Sequence, residues 1–148
     1  MNKFGTEKYR KLLQQITPKY IGAVFPIEEC PVPFIGKGIN EYLCGCESVL
    51  IFAATLGEEF DRLLRQLQIT DMAGAVVLDS LAGGYLERFL NEKIDTRRFS
   101  PGYDDFPLST NLDIINVLKA QKKIGLCVND SYMLTPQKSI TGIVGINK

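Results

Sequence analysis

The chain has 148 residues, 45% of them apolar and 23% charged, which is enough for one domain with a real core and too few for two. Its 17 basic residues balance 17 acidic ones, so no net field draws it to nucleic acid or to an anionic membrane. It has no histidine, which excludes Ser-His-acid and Cys-His catalysis and every histidine-containing zinc site.

No apolar run reaches the roughly 18 residues that a spanning helix needs. The opening MNKFGTEKYRKLLQQ lacks the apolar centre of a signal peptide, so the expected location is the cytoplasm. Thr6 followed by Glu7 predicts a short helix from Glu7 to Ile16, stopped by Pro18. Residues 20 to 48 carry Pro26, Pro31 and Pro33 with Gly36, Gly38 and Gly45, and read as irregular chain with one or two short strands. The expectation is therefore a single domain over 1–148, with 1–47 as an irregular N-terminal segment.

From Val49 the pattern becomes regular. VLIFAAT is a continuous apolar run of strand length, which suits a strand covered on both faces. Leu56-Gly57 ends it, and Glu58-Glu59 put acids into the first turn of a helix that runs to about Gln68. Thr70-Asp71 opens a longer helix ending near Lys93, with Ala73, Val76, Val77, Ser80, Leu81 and Gly84 as its expected buried face. The small residues Ala73, Gly74, Ala75, Ala82, Gly83 and Gly84 suggest a helix that lets another backbone or a ligand come close. Ser109 or Thr110 caps a further helix from Asn111 to Lys123, closed by Gly125, with Leu112, Ile115, Val117 and Leu118 on one face. The tail contributes strand-like runs at Leu126 to Val128 and Ser139 to Ile146 around a Thr135-Pro136 turn. Helices interleaved with few strands, the last two joined by a hairpin-length connection, predict an α+β fold.

Between the third and fourth helical patterns lies RRFSPGYDDFP, residues 97 to 107. Ser-Pro-Gly is ordinary turn chemistry, with Pro setting φ and Gly supplying a positive φ. The same stretch also gathers groups that a zwitterionic, adenine-containing ligand could use. Arg98 can grip a carboxylate bidentately, Gly102 exposes backbone N–H and C=O groups, and Tyr103 offers an apolar face with a hydroxyl. Arg97, Asp104, Asp105 and Phe106 read as turn and surface. Cys44 and Cys46, with Cys30 and Cys127, could form an all-thiolate metal site, but the spacing is not C-x2-C and buried free thiols are the commoner arrangement, so no metal is expected. The acids Glu58, Glu59, Asp61, Asp79, Glu87 and Glu92 fall on predicted helices without a spacing that calls for a paired-carboxylate hydrolase. There is neither GxGxxG nor GxxxxGK[ST].

RFSPGY resembles the Arg-x-x-x-Gly-Tyr motif of the S-adenosylmethionine-binding activation domain of cobalamin-dependent methionine synthase. SVLIFAATLGEEFDRLLRQLQITDMAGAVVLDSLAGGYLERFL is similar to the strand, helix and long helix that precede that motif. IGLCVNDSYMLTPQKSITG is similar to its closing segment, with Ser131, Pro136, Ser139 and Gly142 at the expected spacing. The similarity runs from about Ser48 to Gly145. It implies an α+β domain with a twisted antiparallel sheet that binds S-adenosylmethionine and catalyses nothing alone. It supports reductive remethylation of cobalamin carried by a partner, a methionine synthase or other corrinoid protein, with a flavodoxin-type reductase as electron donor. Small chains of this type look like accessory partners of methionine synthases that lack the domain. On the same resemblance Arg98 pairs with the methionyl carboxylate, Ser100 and Gly102 offer backbone groups to the adenosine, and Tyr103 packs against the ligand. The family's acidic contact aligns near Gly83, and Glu87, one helical turn on and on the same face, takes its place. The alternative expectation is a protein-interaction module that docks on a corrinoid protein with a lapsed small-molecule site.

Overall fold

A computed structural model describes residues 3–94 and 97–147. In chain order it contains α1 (Lys3–Gln14), β1 (Lys19–Pro26), α2 (Lys37–Tyr42), β2 (Ser48–Thr55), α3 (Gly57–Thr70) and α4 (Met72–Asn91). The second half follows with α5 (Thr110–Leu118), α6 (Ala120–Ile124), β3 (Cys127–Val128), β4 (Leu134–Thr135) and β5 (Ser139–Ile146).

The sheet is antiparallel in the order β1-β2-β5, so SVLIFAAT is its middle strand. Successive strand residues face opposite ways, and an apolar residue at every position therefore needs a cover on each side. Val49, Ile51 and Ala53 enter one core with Ile39 before β2 and Ile114, Leu118 and Ile124 after it. Phe52 and Ala54 enter the other with Leu13 of α1, Phe60 and Leu64 of α3, and Leu78, Leu86 and Leu90 of α4. The result is an α+β fold of three layers, with the sheet between α1, α3 and α4 on one side and α2, α5 and α6 on the other. Among the described residues no helix is long and apolar enough to cross a membrane.

Several expectations need correction. The segment before residue 47 holds more regular structure than expected, because its prolines fall at or beyond the end of β1 and leave an eight-residue edge strand intact, and the six-residue α2 follows. The chain between and after them is irregular, as expected. The first helix begins at Lys3 and ends at Gln14, not Ile16. On α4 the buried stripe is Gly74, Ala75, Leu78, Ala82, Leu86 and Leu90, whereas Val76 is exposed. Apolar residues surround nearly the whole helix, so periodicity fits two stripes, and the one with the bulky leucines packs on the sheet. The helix expected over 111–123 is two helices, broken at Lys119, whose φ of 54° is left-handed. That break lets Leu118, Ala120 and Ile124 all reach the core, while Leu112 stays exposed. The final two strand runs do not pair with each other. Cys127–Val128 pairs with Leu134–Thr135 in a separate ribbon, and Ser139–Ile146 pairs with β2. All four cysteines are free thiols, and no group of three Cys, Asp or Glu among the described residues is placed to hold a metal ion.

Asp71 caps α4 and also ties it to α1. Its Oδ1 accepts from Gly74 N at 3.0 Å and its Oδ2 from Tyr9 Oη at 2.6 Å. The Tyr9 hydrogen bond first, and then the Gly74 N–H, hold the Asp71 carboxyl below its ordinary 3.8, and the same hydrogen bond lifts Tyr9 above 10.0. Because the folded carboxyl binds protons less readily than the unfolded one, this contribution is present above about pH 4 and is lost as pH falls through the folded value. The Tyr9 contribution is present below pH 10.0 and lost as pH rises through its raised value. In urea titrations from pH 7 to 2.5, the wild-type midpoint is expected to fall below about pH 4. Asp71→Asn is expected to be less stable at neutral pH and to decline less steeply in acid.

Candidate ligand-binding cleft

The residues between α4 and α5 form a loop pinned at several points. Phe99 pairs with Ile143 of β5 through two backbone hydrogen bonds, each 2.9 Å, and so adds one rung beyond the sheet's outer strand. Period-two alternation then turns Phe99 toward the α5 layer and its neighbours Arg98 and Ser100 the other way. The Phe99 ring meets Tyr42, Tyr103 and Phe106 at centroid distances of 5.4, 5.2 and 5.7 Å. Phe106 is fully buried.

Asp105 supplies a second pin. Its Oδ2 accepts from Lys37 N at 2.7 Å and its Oδ1 from Gly38 N at 3.0 Å. Gly36, at φ 120°, turns the chain so that these N–H groups at the start of α2 point to one place. The Gly38 and Lys37 N–H groups hold the Asp105 carboxyl below its ordinary 3.8. Phe106 is thus a buried anchor, not the surface turn residue expected, whereas Asp105 lies in an exposed turn as expected and acts as a pin from there. Nothing near them in the sequence announces partners more than sixty residues away.

The turn itself closes on its own backbone. Gly102, at φ 92°, donates its N–H to Phe106 O at 2.8 Å, Tyr103 N donates to Ser100 O at 3.1 Å, and Phe106 N donates to Tyr103 O at 3.1 Å. Arg98 reaches back to α4. Its guanidinium forms an ion pair with Glu87 and donates from Nη1 to Asn91 Oδ1 at 3.1 Å. Glu87 and Asn91 are four residues apart on one helical face, which is why a single guanidinium spans both. The Arg98 side chain is only 10% exposed, and that of Glu87 is 50%.

Beside this pair a cleft of about 510 Å³ opens along the outer edge of β5. Glu87, Ser100 and Ile140 line it from the α4 side, and Leu108, Asn111 and Thr141 from the α5 side. Met133 and Leu134 form a wall. Ser100 Oγ donates to Thr141 O at 2.7 Å. Asn111, almost fully buried, accepts from Thr141 Oγ1 at 2.6 Å and donates to Tyr132 O at 2.9 Å. Its amide therefore ties α5, β5 and the β3–β4 ribbon together at the cleft floor.

Of the residues singled out in the sequence, Glu87 and Ser100 line the cleft, and Arg98, which is not part of the lining, adjoins it through its ion pair with Glu87. Gly102 and Tyr103 lie farther along the turn and outside the cleft lining, and Tyr103 is exposed with its ring edge on Phe99. Sequence reasoning missed Asn111, Thr141 and Met133. Asn111 gives no local signal, since it sits in a first helical turn among Ser109, Thr110 and Asp113. A second cleft of similar volume lies at the start of α3, lined by Lys19, Glu58, Glu59 and Arg62 among others. Its charges are of both signs, and it holds none of the residues above. Small-molecule sites are more often apolar with a few convergent polar groups, which describes the cleft on β5.

No protein-family model matches the chain, and no curated protein matches it. A crystal structure of the MetH reactivation domain bound to AdoHcy matches its fold with a TM-score of 0.65 at 16% sequence identity, over 95% of this chain and 64% of that one. The chain therefore has the fold of the MetH reactivation domain and spans less than two thirds of that chain's length.

Gly142 makes room for the loop. A Cβ there would lie 2.9 Å from two ring carbons of Phe52 and 3.1 Å from Ser100 Oγ. Phe52 is wholly buried and cannot swing into solvent. Gly142→Ala is expected to lower stability by about 1–3 kcal/mol, the usual range for overpacking, as read from the urea midpoint.

Proposed function

We propose that this chain binds S-adenosylmethionine in the cleft on β5 and serves as an accessory domain in the reductive remethylation of cobalamin on a partner methionine synthase. The observation that carries the reading is a reactivation-domain fold in which Glu87 and Ser100 line one cleft and Arg98 is ion-paired to Glu87 at its side. Bound S-adenosylmethionine would supply the methyl group, its S–CH₃ electron pair staying on sulfur to leave neutral S-adenosylhomocysteine, and the partner's corrinoid, reduced by one electron from a flavodoxin-type donor, would be the acceptor.

The contribution of this chain is to bind and orient. Arg98, with five N–H donors in a fixed fork, takes the methionyl carboxylate while keeping its hold on α4. Ser100, on the cleft wall, offers backbone groups to the adenosine, while Gly102, whose N–H is taken by Phe106 O, leaves only its carbonyl to a ligand that extends beyond the cleft, and Tyr103 packs at the outer end of the turn. A cleft of about 510 Å³ lies within the usual range for small-molecule sites, about 300–1,000 Å³. It opens at a sheet edge, so a methyl group at its mouth can face a nucleophile on another protein in line.

A second reading rests on the rim. Tyr103, Leu112, Tyr132 and Met133 all stand exposed. An apolar rim of this kind suits a docking surface on a corrinoid protein, with or without a small ligand. Capture of a cobalamin-binding partner that is indifferent to Arg98→Ala and to added ligand would favour this second reading.

Isothermal titration is expected to show S-adenosylmethionine binding to the wild type and weakening by at least about tenfold in Arg98→Ala, the loss of one charge-assisted contact, with circular dichroism unchanged. Absence of heat with the wild type, together with no competition by S-adenosylhomocysteine, would overturn the reading.

A further inference from the structure

We infer that Glu87 makes the β5 cleft selective for a ligand carrying a positive charge, so that a sulfonium is held in preference to the thioether left when its methyl group departs. This rests on the reading that S-adenosylmethionine is the ligand. It goes beyond it by assigning the discrimination between substrate and product to one side chain.

Glu87 is the sole ionisable residue among the described residues that line the cleft. The rest of the lining is apolar, with Leu108, Met133, Leu134 and Ile140, or neutral and polar, as at Asn111 and Gln137, so no other lining side chain offers a full counter-charge. A cation placed among such side chains depends on the one carboxylate within reach, and a second anion there would have no counterpart of its own. Arg98 does not remove this capacity. A carboxylate has two oxygens and about four lone-pair sites, and the ion pair with Arg98 runs through Oε2. The side chain is half exposed while its partner is nearly buried, so the carboxylate lies between Arg98 and the open cleft.

Arg98 acts on this discrimination as a positioning residue. Held by Asn91 as well as Glu87, it fixes the direction of the carboxylate. Arg98 is the match for the ligand's carboxylate, and the group assigned to Glu87 is the sulfonium, the charge that only S-adenosylmethionine carries. S-adenosylmethionine and S-adenosylhomocysteine share the carboxylate, ammonium and adenosine and differ in the sulfur's methyl group and charge. Any preference that depends on Glu87 therefore reports the sulfonium itself.

The test is titration of both ligands into the wild-type protein and into Glu87→Gln, an isosteric change at a half-exposed position. The wild type is expected to favour S-adenosylmethionine by about tenfold, the scale of one charge contact at a partly solvated site. In Glu87→Gln the preference is expected to fall to about twofold or less, with S-adenosylhomocysteine affinity nearly unchanged. Equal affinities in the wild type, a preference that survives Glu87→Gln, or an equal loss of both ligands would each overturn the inference and leave S-adenosylmethionine binding standing. Failure of the wild type to bind either ligand would overturn both.

Discussion

Two backbone hydrogen bonds between Phe99 and Ile143 set the position of everything at the cleft. β5 is an outer strand, and its unpaired N–H and C=O groups would otherwise face solvent as a template for another chain. The loop after α4 takes up one rung of that edge. Because side chains alternate about a strand, the rung sends Phe99 into the aromatic cluster while Arg98 and Ser100 face α4 and β5. A slip of one residue would reverse that arrangement, placing a guanidinium among apolar rings and a phenyl ring beside Glu87. Burial of Phe106 and the seating of Asp105 on the N–H groups of Lys37 and Gly38 oppose such a slip from the other end of the loop.

The cleft also depends on what is missing from β5. Gly142 faces the α4 layer at a point where Phe52 and Ser100 both approach it. Gly145, three residues on, would meet Cys46 if it carried a Cβ, and its N–H donates to Tyr42 Oη at 3.2 Å. Tyr42 in turn donates to Arg97 O at 2.6 Å, so α2 braces the start of the loop through the strand it packs against. The sheet edge, the loop and the short helix α2 are therefore one mechanical unit, although their sequences lie far apart.

The parts of this arrangement differ in how well the sequence announces them. β2 was legible because an uninterrupted apolar run of strand length has few other uses, and Asp71 was legible as the start of α4 because a cap acts on its own helix. The resemblance around RFSPGY located the loop that borders the cleft. The buried face of α4 was not legible, since a helix apolar on nearly all sides takes its orientation from what it packs against. Nor were the roles of Asp105 and Asn111, whose partners are a glycine-lysine-glycine turn and a threonine on β5. A hydrogen bond across such distances leaves no local pattern, and a polar residue looks the same whether its partner is water or a buried hydroxyl. A strand was expected in the segment that holds β1, but the prolines hid its length and the short helix α2 that follows.

The Arg98–Glu87 pair is better understood as a device for direction than as a source of stability. A pair at the boundary of solvent gains little Coulomb energy and is screened by salt, so its contribution to folding is small. Meanwhile the long arginine side chain has given up rotamer freedom, at a cost of up to about 2 kcal/mol. A folding argument alone gives little reason to place an arginine there, because an apolar residue of similar size could cover the same stretch of α4. The balance changes once the guanidinium has a further task, since a side chain already held at Asn91 and Glu87 loses little more on meeting a ligand. The same holds for Glu87, whose carboxylate is aimed before any cation arrives. On the proposed reading, preorganisation of this kind is the reason for a charged pair that is nearly buried on one side and open to a cleft on the other.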